Sequence, residues 1–112
     1  MKLTAKQVQA TYDFLRAMPP FCNWRIPESQ SVIIKVSNSQ MVMGEYESDP
    51  HMVSISRVMN NNYDDVLQTV AHEMAHLACE KDGTECHADH GDSFKAKAKE
   101  VCDVWGWKVE KF

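Results

Sequence analysis

A chain of 112 residues with 44% apolar and 25% charged side chains suits one globular domain, residues 1–112, and leaves little room for a second. Its net charge of -4 argues against bulk attraction to nucleic acid, and no apolar run is long enough to cross a bilayer. The opening Met1-Lys2-Leu3-Thr4-Ala5-Lys6-Gln7 lacks the apolar stretch of a secretory signal, so a cytoplasmic protein with no membrane partner is expected. Of the four cysteines, Cys22, Cys79, Cys86 and Cys102, no two form a CxxC pair, which removes a zinc ribbon or a thioredoxin-like motif. Free thiols are expected in that compartment.

The first helix is announced by Thr4 as N-cap, Gln7 as its capping-box partner, and Leu3 and Val8 placed for a hydrophobic staple. Val8, Tyr12, Leu15 and Met18 recur at helical spacing until Pro19-Pro20 stops the helix. Residues 19–30 hold three of the four prolines and read as a loop with Phe21, Trp24 and Ile26 packed beneath it. Three strand-like segments follow: Ser31 to Ser37, Gln40 to Glu47 after a turn at Asn38-Ser39, and His51 to Val58 after Ser48-Asp49-Pro50. Read as short antiparallel strands, they need a helix over one face.

A second helix starts at the cap Asn62, carries Asp64 and Asp65 where the helix dipole favours negative charge, and stops at Gly83 after Lys81. A loop runs from Thr84 to about Asp89, and a last helix from Asp92 to Trp105 ends at Gly106. Lys95, Lys97 and Lys99 alternate along it and read as a solvated face. The tail from Trp107 to Phe112 carries no assignable pattern.

The second helix contains His72-Glu73-Met74-Ala75-His76. Residues four apart share one helix face about 6 Å apart along the axis, so His72 and His76 can turn ring nitrogens to one metal ion. Glu73 is rotated off that line, placed to reach a metal-bound water as general base without ligating. Val66, Leu67, Val70, Ala71, Met74, Leu77 and Ala78 fill one arc. Asp65, Thr69, His72, Glu73, His76 and Glu80 fill the other.

A catalytic zinc has three protein ligands and one open position. Glu80, Asp82, Glu85, Cys86, His87, His90 and Glu100 are the downstream candidates. Asp82 stands six residues after His76, a spacing that wants glycine at position 79, where this chain has Cys79. Glu100 lies opposite the buried stripe of Phe94, Ala98, Val101, Cys102 and Trp105. His90, four residues before Phe94, continues that stripe and is favoured, with His87 as its competitor.

His72 to His76, followed by a loop and His90-Gly91-Asp92-Ser93-Phe94, resembles the SprT/Spartan family of zinc metalloproteases, whose pattern is HExxH and later HGxxF. Met43-Gly44-Glu45-Tyr46 and Val53-Ser54-Ile55-Ser56 resemble that family's strands before the active-site helix. The resemblance implies an α+β, minigluzincin-like zincin core: an N-terminal helix, a small sheet, the active-site helix and a C-terminal ligand-bearing helix. It also implies one catalytic Zn2+ on His72, His76 and His90, Glu73 as the catalytic residue, and a protein or peptide substrate, in some members bound to DNA. The expected function is zinc-dependent hydrolysis of peptide bonds, with the third strand offering an edge to an extended substrate. Tyr46, His51, Arg57 and His87 are candidates for stabilising the oxyanion, each better read as structural or exposed. Two alternatives stand beside it: a zinc-binding accessory module with little turnover, and a metal-dependent nucleic-acid hydrolase.

Overall fold

The computed structural model describes residues 2–84 and 90–112, so the candidate ligands Glu85, Cys86 and His87 lie outside the described residues. Helix α1 spans Ala5–Arg16. Its N-terminus is closed by the expected capping box: Thr4 Oγ1 accepts from Gln7 N at 3.2 Å, and Thr4 N donates to Gln7 Oε1 at 2.9 Å. Val8, Tyr12 and Leu15 are completely buried. The helix stops before Met18, because a residue that precedes proline is driven out of the α region. Tyr12 Oη donates to the Pro27 carbonyl and Arg16 Nε to that of Ile26, pinning the proline-rich loop over the buried Phe21 and Ile26.

The sheet corrects the antiparallel expectation. Strands β1 (Ile33–Ser37), β2 (Gly44–Glu47) and β3 (Met52–Ser56) lie in the order β1-β3-β2, with β3 antiparallel to β2 but parallel to β1. Asn38-Ser39 therefore does not make a hairpin. Residues 38–43 instead span a slot that β3 fills, with Arg57 N donating to Ser37 O on one side and Ser56 N to Met43 O on the other. Burial explains the order. Val53 and Ile55 of β3 are fully buried, whereas β1 exposes Lys35 and β2 exposes Glu45 and Glu47, as suits sheet edges. β3 therefore offers no edge to a substrate. β2 does.

Helix α2, Tyr63–Lys81, starts at Asn62, whose Oδ1 accepts from Asp65 N at 2.9 Å, and is followed by Gly83 at φ 75°. It is the central element, packed against α1, α3, β2 and β3. Its apolar arc joins the main core through Val66, Val70, Ala71, Met74, Leu77 and Ala78. Ala75 and Cys79 are also fully buried, in a second cluster with Phe94 and Ala98 of α3, so the helix is covered on more than the single face its pattern indicates.

Helix α3, Asp92–Trp105, buries Phe94, Ala98, Val101 and Cys102 and ends at Gly106, whose φ of 77° is readily accessible to glycine. Lys97 departs from the solvated-face expectation. Its Nζ lies 2.9 Å from Asp82 Oδ2 and 4.8 Å from the centre of the Trp24 ring. The tail folds back through a short 3-10 turn, Val109–Lys111, and Trp107 and Phe112 pack against the main core. Cys22 and Cys102 are free thiols. Among the described residues, three α-helices and a three-stranded mixed sheet make an α+β arrangement, and no helix is long and apolar enough to cross a membrane.

Candidate metal centre

His72 and His76 stand one turn apart on α2, and His90 stands two residues before α3. Their ring centres form a nearly equilateral triangle: 4.9 Å from His72 to His76, 4.8 Å from His72 to His90, and 5.0 Å from His76 to His90. One nitrogen from each lies within 4.8 Å of the others, so the three could hold a single metal ion. The donor set fits zinc, which is readily bound by imidazole nitrogens. The fold thus brings His90 beside the histidine pair of α2.

Phe94 explains why an aromatic residue follows His90 by four. Its ring lies 4.9, 4.2 and 4.4 Å from those of His72, His76 and His90, and it is only 3% exposed. One buried ring therefore backs all three imidazoles and limits the rotamers open to them. His72 has a second restraint, a 2.7 Å hydrogen bond between its Nδ1 and the main-chain oxygen of Phe112. Burial, followed by the neighbouring His76 and His90, pushes the His72 imidazole down to about 4, while the Phe112 bond acts the other way. A neutral imidazole is the form that ligates a metal.

Glu73 lines the same cleft and is 5% exposed. Burial, with the Glu45 carboxylate adding to it, pushes the Glu73 carboxyl up to about 8. A cation at the histidines acts in the opposite direction, favouring the charged form. Strand β2 reaches this carboxylate because position 44 is glycine. A Cβ there would lie 2.7 Å from Thr69 Cγ2 and 3.1 Å from Glu73 Oε2. Asn60, 1% exposed, fixes that approach. Its Nδ2 donates to Met43 O and Ser56 O, and its Oδ1 accepts from Thr69 Oγ1 at 2.7 Å.

The cleft has a volume of about 630 Å³ and is lined by Val42, Gly44 to Ser48, Glu80, the three histidines and Glu73. A second cavity of about 480 Å³ continues past His72 and Glu73 toward Gln68, Thr69, Lys111 and Phe112. Tyr46 lines the first cavity, with its hydroxyl paired to His51 Nδ1, and burial, with Glu80 and Asp49, pushes its phenol up to about 12. Arg57 has a buried Nε without a partner among the described residues and does not line either cavity. Glu80 lines the cleft, Asp82 is taken by Lys97, and Glu100 is exposed on α3.

Asn60 and Phe112 are the site residues that sequence reasoning missed. Asn60 stands in the run Asn60-Asn61-Asn62, where only the cap stands out, and nothing local marks it as a tie between β2 and α2. Two aromatic rings in a six-residue tail, Trp107 and Phe112, are the signal that this tail docks.

Comparison with curated proteins and with solved structures returned no match. Comparison with protein families matched residues 11–110 to the SprT-like family, which is nearly the whole chain and includes both helices of the histidine triangle. The chain belongs to the SprT-like family.

Proposed function

We propose that this chain is a zinc-dependent metallopeptidase that hydrolyses peptide bonds of protein substrates. The observation that carries this is the convergence of His72, His76 and His90 in a cleft that also holds the buried Glu73 carboxylate. Zinc, when bound, supplies Lewis acidity that makes water nucleophilic near neutral pH and polarises a carbonyl. Glu73 accepts the proton from the attacking water and delivers it to the departing amine. Phe94 and the Phe112 oxygen keep the imidazoles in place. The outer edge of β2 borders the cleft from Gly44 to Glu47, so an extended substrate pairs with its main chain there.

Glu45, Glu47 and Glu80 join Glu73 in the lining, and no Lys or Arg lines this cavity among the described residues. A lining of that charge repels phosphate backbones, which weighs against nucleic-acid hydrolysis. A zinc-binding module without turnover has no use for a carboxylate buried beside its ligands, a costly arrangement without a proton to move. A single soluble domain acting in the cytoplasm, on free or DNA-associated proteins, completes the proposal. Glu73→Gln tests it: zinc content stays stoichiometric, and cleavage of an unfolded protein falls by about 10²–10⁴-fold. Wild-type cleavage rates in the mutant would refute the role of Glu73.

A further inference from the structure

We infer that the main-chain oxygen of Phe112 is a positioning group for the metal centre, holding the His72 imidazole with Nδ1 as its donor and Nε2 turned to the ion. This deepens the proposed function and rests on it.

A neutral imidazole carries one N–H, and the nitrogen that bears it cannot ligate. A main-chain oxygen, whether of a carbonyl or of an ionised carboxylate, can only accept. The 2.7 Å contact with Phe112 O therefore places the proton on Nδ1 and leaves Nε2 with the lone pair. Without that contact, the ring can put its proton on either nitrogen and must be reset before it binds.

The oxygen does not hang on a loose end. Gly106 turns the chain out of α3 through the left-handed region, and Lys111 N and Phe112 N donate back to Lys108 O and Val109 O. Trp107 stacks at 5.6 Å on Trp105 and at 6.1 Å on Phe112. The Phe112 ring in turn lies 5.3 Å from His72 and 6.2 Å from Phe94. A segment 40 residues from His72 in sequence is thereby built into the ligand's surroundings. Hydrogen-bond partners of metal-ligating histidines fix tautomer and ring orientation, and losing one typically costs about 10–100-fold in metal affinity. By reciprocity, bound metal must also favour the docked tail.

Two measurements test this. Long-range ¹H–¹⁵N correlation spectra of the metal-free wild-type protein should show His72 protonated on Nδ1, and Nε2 protonation would overturn the proposal. Zinc affinity is then compared by competition with a chromophoric chelator in the wild type, in a variant lacking Phe112, and in Phe112→Ala, which keeps the oxygen but not the ring. The deletion should weaken zinc binding by about 10–100-fold, with Phe112→Ala retaining most of the affinity. Equal losses in both variants would assign the effect to the ring and overturn the role of the oxygen. If the deletion variant does not fold, the wild-type tautomer decides alone. A wild type that binds no zinc removes the metal centre and this role together, whereas zinc bound by a protein with Nε2-protonated His72 removes this role alone.

Discussion

Val66, Val70, Met74 and Leu77 on one arc of α2 are fully buried in the main apolar cluster, while Thr69, Glu73 and His76 on the other arc are 6, 5 and 8% exposed beside the cavities. These seven residues are all nearly out of water, but with opposite energetic sign. Each buried aliphatic side chain contributes about 1.5–3 kcal/mol, whereas polar groups taken from water are costly unless partnered. The Glu73 carboxyl, pushed up to about 8 by burial, shows that cost directly. The apolar arc therefore holds the polar arc in a place it would not choose, and the site is only as rigid as the core behind it.

The comparison breaks first at Leu77. Leu77→Ala should cost about 2–5 kcal/mol, read from urea or thermal unfolding, and the protein that remains folded should still take up zinc at its normal ratio. A loss of zinc stoichiometry without loss of stability would mean the two arcs are not divided as described. Chelation tests the other arc. With free zinc at a thousand times its Kd, binding stabilises the fold by about 4 kcal/mol, so a strong chelator should lower Tm by well over 10 °C. A Tm unmoved by chelator would show that the cleft arc needs no ion.

Gly44→Ala sharpens the same contrast at the contact between sheet and helix. The added methyl meets Thr69 Cγ2 at 2.7 Å and Glu73 Oε2 at 3.1 Å, so β2 must move off α2. The expected cost is about 1–3 kcal/mol, together with a fall in peptide hydrolysis larger than any change in zinc affinity. Unchanged stability and rate would mean that the strand does not need this close approach.

What could be read ahead of the coordinates follows the range of the interactions involved. Helix starts and stops depend on neighbours three or four residues away, so Thr4, Asn62 and Gly106 are legible from local sequence. His72, Glu73 and His76 belong to one helix and are legible for the same reason. The closeness of His90 to the helix pair follows from its place four residues before Phe94, whose ring lies beneath the imidazoles. Strand pairing is not local. β1 and β3 meet across the whole of β2, and nothing in residues 38–43 says that they form a slot rather than a hairpin. Asn60 and Phe112 act on partners 17 and 40 residues away through main-chain oxygens, which leave no trace in side-chain patterns.

The smallest predicted effects separate two lysines that look alike in sequence. Lys97 has a side chain 15% exposed, pairs with Asp82 just beyond the end of α2, and lies over Trp24. Lys99 pairs with Asp103 four residues on, with side chains 71% and 64% exposed. An exposed i,i+4 pair contributes little and is screened by salt, so Lys99→Ala should leave stability almost unchanged, and still less altered at high ionic strength. Lys97→Ala also loses apolar stem contact and a cation–π interaction of about 0.5–1 kcal/mol, so it should cost more and keep its cost in salt. Because Lys97 joins the end of α2 to the helix that follows His90, its loss should also weaken zinc binding slightly, whereas that of Lys99 should not. Identical unfolding curves for the two variants across a salt series would show that α3 is held to α2 by its apolar face alone.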